Sequence, residues 1–128
     1  MYQLGFAVYI TLGGTMLLGL EIETHDRFLG FEIVGTNSLA SGASISAPGG
    51  AVLRYEGSLV RKAIGIPEVL QFMVEASINV DLALFATWLY EKVKTKPVAR
   101  IVINRRTITE ITEDGIRQIL EEEIRRES

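Results

Sequence analysis

The sequence predicts an α+β fold in which an antiparallel β-meander packs against a long apolar helix, followed by a C-terminal β-hairpin and a second helix. Apolar and polar residues alternate between residues 15 and 24, as in a strand with one buried face. Apolar residues then recur at helical spacing between residues 68 and 94. A capped, amphipathic pattern over residues 113–126 predicts the last helix. We expect one domain spanning residues 1–128.

The composition is that of a globular protein. Apolar residues make up 48% of the 128 residues and charged residues 23%, which is close to the average for folded domains. A chain of this length has enough apolar side chains for one core. Its formal net charge of -3 has the wrong sign for a surface that neutralises phosphates. The composition therefore argues against a nucleic acid as partner.

The chain has no cysteine and one histidine, which excludes cysteine-based zinc sites and most catalytic dyads. No glycine-rich segment ends in the Gly-Lys-Ser/Thr of a phosphate-binding loop. Residues 1–3 also lack the basic start of a secretory signal. We therefore expect a cytoplasmic, non-enzymatic protein without a cofactor.

The N-terminal part, residues 4–60, is expected to form a meander. Residues 4–12 and 15–24 read as strands joined by Gly13 and Gly14, because glycine supplies the positive φ of a tight turn. A third strand is predicted over residues 28–34 and a fourth over residues 51–60.

Residues 35–50 contain small and polar residues and no charge, which predicts a long exposed loop. We expect it to order against a partner or a neighbouring subunit. The apolar run over residues 4–20 and the uncharged stretch over residues 33–53 leave an alternative, a membrane-active protein that inserts or forms pores. Glycines and strand formers in the first run favour a hairpin, and serines in the second would lack partners in hydrocarbon.

The predicted helix over residues 68–94, whole or interrupted near residue 78, begins after Pro67 and ends before Pro97. Between residues 82 and 89 it is apolar around nearly its whole circumference, which indicates contact with a partner or a second copy as well as with the core. The predicted interface residues are Leu82, Phe85, Trp88 and Leu89.

The C-terminal third predicts a hairpin over residues 99–111 and a helix over residues 113–126 capped by Thr112. Basic residues gather around the end of the central helix and the hairpin. They could solvate these ends or, if they converge in space, bind an acidic partner or a nucleic acid. This basic patch comprises Lys92, Lys94, Lys96, Arg100, Arg105 and Arg106.

One candidate metal site lies in the N-terminal part. Strand alternation would place Glu21, Glu23 and His25 on one sheet face, where Glu32 could join them. Carboxylates with an imidazole can hold a divalent metal, so a metal-dependent enzyme or metal-binding protein is a second alternative. The more ordinary interpretation is a solvated strand face that ends in a polar turn.

From Asp81 onward, an apolar helix ending in Trp-Leu-Tyr-Glu-Lys-Val is followed by a lysine-rich break, the strand Ala-Arg-Ile-Val-Ile-Asn, a short hairpin and an acidic helix. This order resembles the C-terminal part of the effector-associated constant component domains of bacterial and phage conflict systems. The resemblance covers less than half of the chain and implies a non-catalytic adaptor without assigning functional residues. We therefore expect a homo-oligomeric interaction or assembly domain, serving as an adaptor or structural component of a bacterial or phage system.

Overall fold

The computed structural model describes residues 15–36, 39–59, 65–108 and 110–127. The predicted strand over residues 4–12 and its Gly13-Gly14 turn lie outside these residues. The described elements in chain order are β1 Thr15–Thr24, α1 Leu29–Val34, β2 Ser44–Ala47, β3 Ala51–Leu59, β4 Glu68–Ser77, α2 Leu82–Val93, β5 Val98–Ile103, β6 Arg106–Thr107 and α3 Glu113–Glu127. The fold is α+β, and the six described strands form an antiparallel sheet in the order β2-β3-β4-β1-β5-β6.

Strand β1 lies in the middle of the sheet, and its predicted alternation is confirmed. It pairs with β4 over its whole length, from Thr15 opposite Ser77 to Thr24 opposite Glu68. Leu18, Leu20 and Ile22 are buried on one face, while Glu21 and Glu23 lie on the other. Helices α2 and α3 contact each other and share one hydrophobic core with the buried face of the sheet. The opposite face, called the open face below, carries no helix among the described elements.

The predicted helix over residues 68–94 is wrong in its first half, because Glu68–Ser77 forms strand β4. Leu70, Phe72, Val74 and Ala76 face the core, with more exposed residues between them. This is a period of two, and pairing with β1 and β3 on both sides favours the strand over local helical spacing. The helix begins only at Leu82, where the Asp81 side chain accepts a hydrogen bond from the Leu84 N–H at 3.1 Å.

The predicted strand over residues 28–34 is also wrong, because Leu29–Val34 forms the short helix α1. Leu29, Gly30, Ile33 and Val34 are buried, which is the spacing of one helix face. Gly35 ends the helix in the left-handed conformation at φ 75°, and its N–H donates to the Phe31 carbonyl at 2.8 Å.

The C-terminal helix is confirmed as α3, and the hairpin before it is shorter than predicted. Asn104 and Arg105 form a two-residue turn with φ of 48° and 71°, so β6 begins at Arg106 and spans two residues. The Thr112 hydroxyl accepts a hydrogen bond from the Gly115 N–H at 2.9 Å, as expected for the predicted cap. Ile116 and Leu120 of α3 are buried in the core.

Candidate interaction surface

The four candidate metal ligands do not converge. Glu23 lies 3.6 Å from Arg100, and Glu32 on α1 forms an ion pair of 2.8 Å with Lys96. Glu21 lies on the open face of the sheet, and His25 is exposed in the turn after β1. Within the described parts of the chain, no group of three or more histidine, aspartate or glutamate side chains is placed to hold a metal ion.

Most cations of the predicted basic patch contact other side chains of the fold. Lys94 pairs with Glu91 at 2.8 Å, and the hydrogen bond that its ammonium donates to that carboxylate raises the pKa of Lys94. A hydrogen bond with Glu32 likewise raises the pKa of Lys96. The Lys92 ammonium lies 5.7 Å from the centre of the Trp88 ring. Most of these cations therefore stabilise the fold locally.

Helix α2 presents a smaller apolar surface than its sequence predicts. Phe85 and Leu89 are fully buried against the core, so they are inaccessible to a partner, while Leu82 and Trp88 are half-buried. Leu84 is a large apolar side chain exposed on this helix, at 53% exposure. Of the predicted interface residues, Leu82 and Trp88 thus keep accessible surface.

Strand β2 lies inside the segment predicted as a loop, residues 35–50. Residues Ala40 to Ala43 form a turn in which Gly42 takes a φ of 95°. The Gly42 N–H donates to the Tyr55 carbonyl, and the Tyr55 N–H donates to the Ala43 carbonyl, each at 2.7 Å. This arrangement is a glycine β-bulge, which fixes the register of the strand that follows.

The pairing of β2 with β3 determines which backbone groups remain open. Ser44 lies opposite Arg54, Ile45 opposite Leu53 and Ser46 opposite Val52. Since Tyr55 already exchanges hydrogen bonds with the bulge, alternation makes Ile45 the next hydrogen-bonded position. The N–H and C=O groups of Ser44 and Ser46 therefore point away from β3, at the outer edge of the sheet. Both side chains are exposed.

This outer edge, defined as Ser44–Ala47 and called the β2 edge, carries no charge. Native edges are usually protected by charged side chains, prolines or bulges. Here the charge-free segment extends through residues 35–50, and Pro48 follows the strand instead of interrupting it. The turn over residues 48–50 then packs against the start of α2, since the Asp81 N–H donates to the Gly49 carbonyl at 2.7 Å.

The opposite edge of the sheet, strand β6, is connected to helix α3 by ion pairs. Glu123 on α3 is 4% exposed and accepts hydrogen bonds from the Asn104 amide and from the guanidinium groups of Arg106 and Arg126, at 3.1–3.3 Å. Arg106 also pairs with Glu122 at 2.7 Å, and these two carboxylates raise the pKa of Arg106. The sequence predicted the helix and the hairpin but did not indicate that Glu123 joins them.

A depression of about 380 Å³ lies on the open face, where β1, β4 and β5 meet the Asn104-Arg105 turn. The Asn104 side chain accepts a hydrogen bond from the Gly19 N–H at 2.8 Å and so fixes this turn against β1. The depression combines polar and apolar lining without converging catalytic groups. Its most polar lining residues are Glu21, Glu56, Gln71, Asn104 and Arg105.

No protein-family model, curated protein or solved structure matches this chain. The resemblance over the C-terminal part therefore stays a prediction. Within the described residues, no helix has the length and apolar character needed to cross a bilayer.

Proposed function

We propose that this protein is a non-enzymatic interaction and assembly domain that forms homo-oligomers. The observation that carries this proposal is the β2 edge, where the backbone groups of Ser44 and Ser46 face outward in a segment without charge. Such an edge is a template for another strand. A role as an adaptor or structural component of a bacterial or phage system rests on the resemblance alone.

Exposed apolar side chains near α2 give further support. Ile78, in the turn before this helix, is 76% exposed, and Leu84 in its first turn is 53% exposed. Apolar side chains of this size are favourable to bury in an interface. We infer that the first turn of α2 adds apolar contact to the assembly, in place of the buried Phe85 and Leu89.

Two of the candidate metal ligands, Glu23 and Glu32, form contacts within the fold. Glu32 and Asp26 both approach the Lys96 ammonium, at 2.8 and 3.8 Å, and so connect α1 to the segment after α2. Glu23 and Arg100 face each other across β1 and β5. These ion pairs connect elements of the fold, and no metal-binding cluster is placed within the described residues.

Sedimentation equilibrium of the full chain tests the proposal. We expect a reversible rise in average mass between about 1 µM and about 1 mM, the range of weak and transient interfaces. Because the β2 edge is uncharged, the association should persist in about 0.5 M salt, where exposed ion pairs are screened. A protein that stays monomeric over the whole range contradicts the proposal.

A further inference from the structure

We propose that the partner at the β2 edge is a second copy of this chain. The two β2 strands pair antiparallel about a two-fold axis through Ile45 and join two sheets into one. This inference rests on the proposed function, because it assigns the surface and the register through which the protein assembles.

The outward backbone groups select this register. With Ile45 on the axis, Ser44 lies opposite Ser46 of the second copy, and each of the two pairs can exchange both backbone hydrogen bonds. Centring the axis on Ser46 instead would place Ser44 opposite Pro48, which has no N–H to donate. Pro48 also lies in the turn after β2 and not in the strand. Within the strand residues, the Ile45 register therefore forms four backbone hydrogen bonds, whereas the shifted register forms the two between the Ser46 residues.

The side chains around the axis are self-complementary. The sequence Ser44-Ile45-Ser46 reads the same in both directions, so a two-fold rotation places serine opposite serine on the open face. The two Ile45 side chains meet on the helix-covered face, where Ile45 is already partly buried. No like charges are brought together, because residues 35–50 contain none.

The other edge of the sheet limits the assembly to a dimer. At β6, two residues are paired to β5, and Arg106 is held there by Glu122 and Glu123. An edge this short and charged is poorly suited to pair with another strand. One open edge among the described strands of each chain gives a closed, isologous dimer, whereas two open edges would give a growing filament. The paired length is short, so we expect weak, concentration-dependent association.

Disulfide trapping tests the register, and the absence of cysteine from the chain makes single substitutions unambiguous. In the proposed dimer Ile45 forms a non-hydrogen-bonded pair with itself at a Cα separation of about 4.5 Å, within the range of a disulfide. Under mild oxidation we expect Ile45→Cys to form covalent dimers several-fold faster than Ala99→Cys, an exposed site on β5. A mixture of Ser44→Cys and Ser46→Cys should give the mixed dimer faster than either variant alone gives its own.

Ile45→Cys could misfold, since Ile45 is partly buried. The serine variants keep the register testable in that case, because both serines are exposed. If the wild type self-associates but neither Ile45→Cys nor the serine mixture exceeds Ala99→Cys, the inference is overturned while the proposed function stands. If the wild type is monomeric at every concentration, both are overturned.

A backbone substitution provides a second measurement. Ser46→Pro removes an N–H that points away from β3, so the β2–β3 pairing keeps its hydrogen bonds. We expect self-association at least about ten-fold weaker, from the loss of two intermolecular bonds. Ser46→Thr keeps the N–H and should associate like the wild type, and circular dichroism checks that both remain folded. Unchanged association of a folded Ser46→Pro variant overturns the inference.

Discussion

The two edges of the sheet end it in opposite ways. The edge strand β6 has two residues, and Arg106 on it forms ion pairs with Glu122 and with the buried Glu123 of α3. The edge strand β2 has four residues, with exposed serine side chains and no charged residue. A strand edge exposes hydrogen-bonding groups whatever its sequence, so its side chains decide whether another strand can pair with it. This difference is the basis of the proposal that the sheet extends through its β2 edge.

Substitution of Glu123 should give the largest loss of stability, because this residue connects α3 to the β6 edge. Glu123→Ala removes the buried acceptor shared by Asn104, Arg106 and Arg126, so all three lose this hydrogen bond, although Arg106 keeps Glu122. We expect the free energy of unfolding to fall by about 2–3 kcal/mol. Urea denaturation monitored by circular dichroism measures the change.

Glu121→Ala is the matched control, since Glu121 lies on the same helix with an exposed side chain. It should change stability by no more than about 0.5 kcal/mol. Equal losses in the two variants would show that the buried carboxylate is not what secures the β6 edge.

Local patterns predicted the elements whose signals lie within a few residues. The alternation over β1 and the Thr112 cap of α3 are of this kind, because burial on one face and a capping hydroxyl leave a direct trace in sequence. The failures occurred where a pattern fitted two structures. Val69, Leu70, Phe72 and Met73 fit a helix as well as a strand, and only pairing with β1 and β3 made the segment a strand.

The strand at the β2 edge was missed. The absence of charge over residues 35–50 predicted a long exposed loop, and its ordering against a partner stays a prediction. A signal was present, since Ser44-Ile45-Ser46-Ala47 alternates between the turn glycine Gly42 and the Pro48-Gly49-Gly50 turn. The buried position of Glu123 could not have been found in this way, because its contacts depend on how α3 packs against a turn about 20 residues away in sequence.

Substitution of Gly42 tests the bulge before the β2 edge, with a smaller expected loss of stability. Its φ of 95° favours glycine, and an added methyl group would meet no atom within 4 Å. Gly42→Ala therefore introduces backbone strain without a clash, and we expect a loss of about 1–2 kcal/mol in the free energy of unfolding. Gly42→Asn should recover part of this loss, because asparagine tolerates the left-handed region better than alanine. Thermal denaturation of the three proteins compares them, and equal stability of all three would contradict the bulge.

Acid gives the smallest expected effect, and of the two edges it acts on the charged one. Hydrogen bonds from Arg106 and then from Gln118 lower the pKa of Glu122 below its ordinary value of 4.5. The unfolded chain therefore takes up this proton first as pH falls. The stabilisation by Glu122 is fully present above pH 4.5 and is lost as the pH drops through the lowered pKa.

Glu122→Gln isolates this contribution, because it removes the charge from the pair with Arg106. Between about pH 6 and about pH 3, the wild type should lose more stability in urea denaturation than Glu122→Gln. Glu121→Gln, with an exposed carboxylate one residue away, should lose as much as the wild type. No matching pH dependence is expected from the β2 edge, since residues 35–50 contain no titratable side chain. Identical acid sensitivity of Glu122→Gln and the wild type would mean that the Arg106–Glu122 pair does not stabilise the β6 edge.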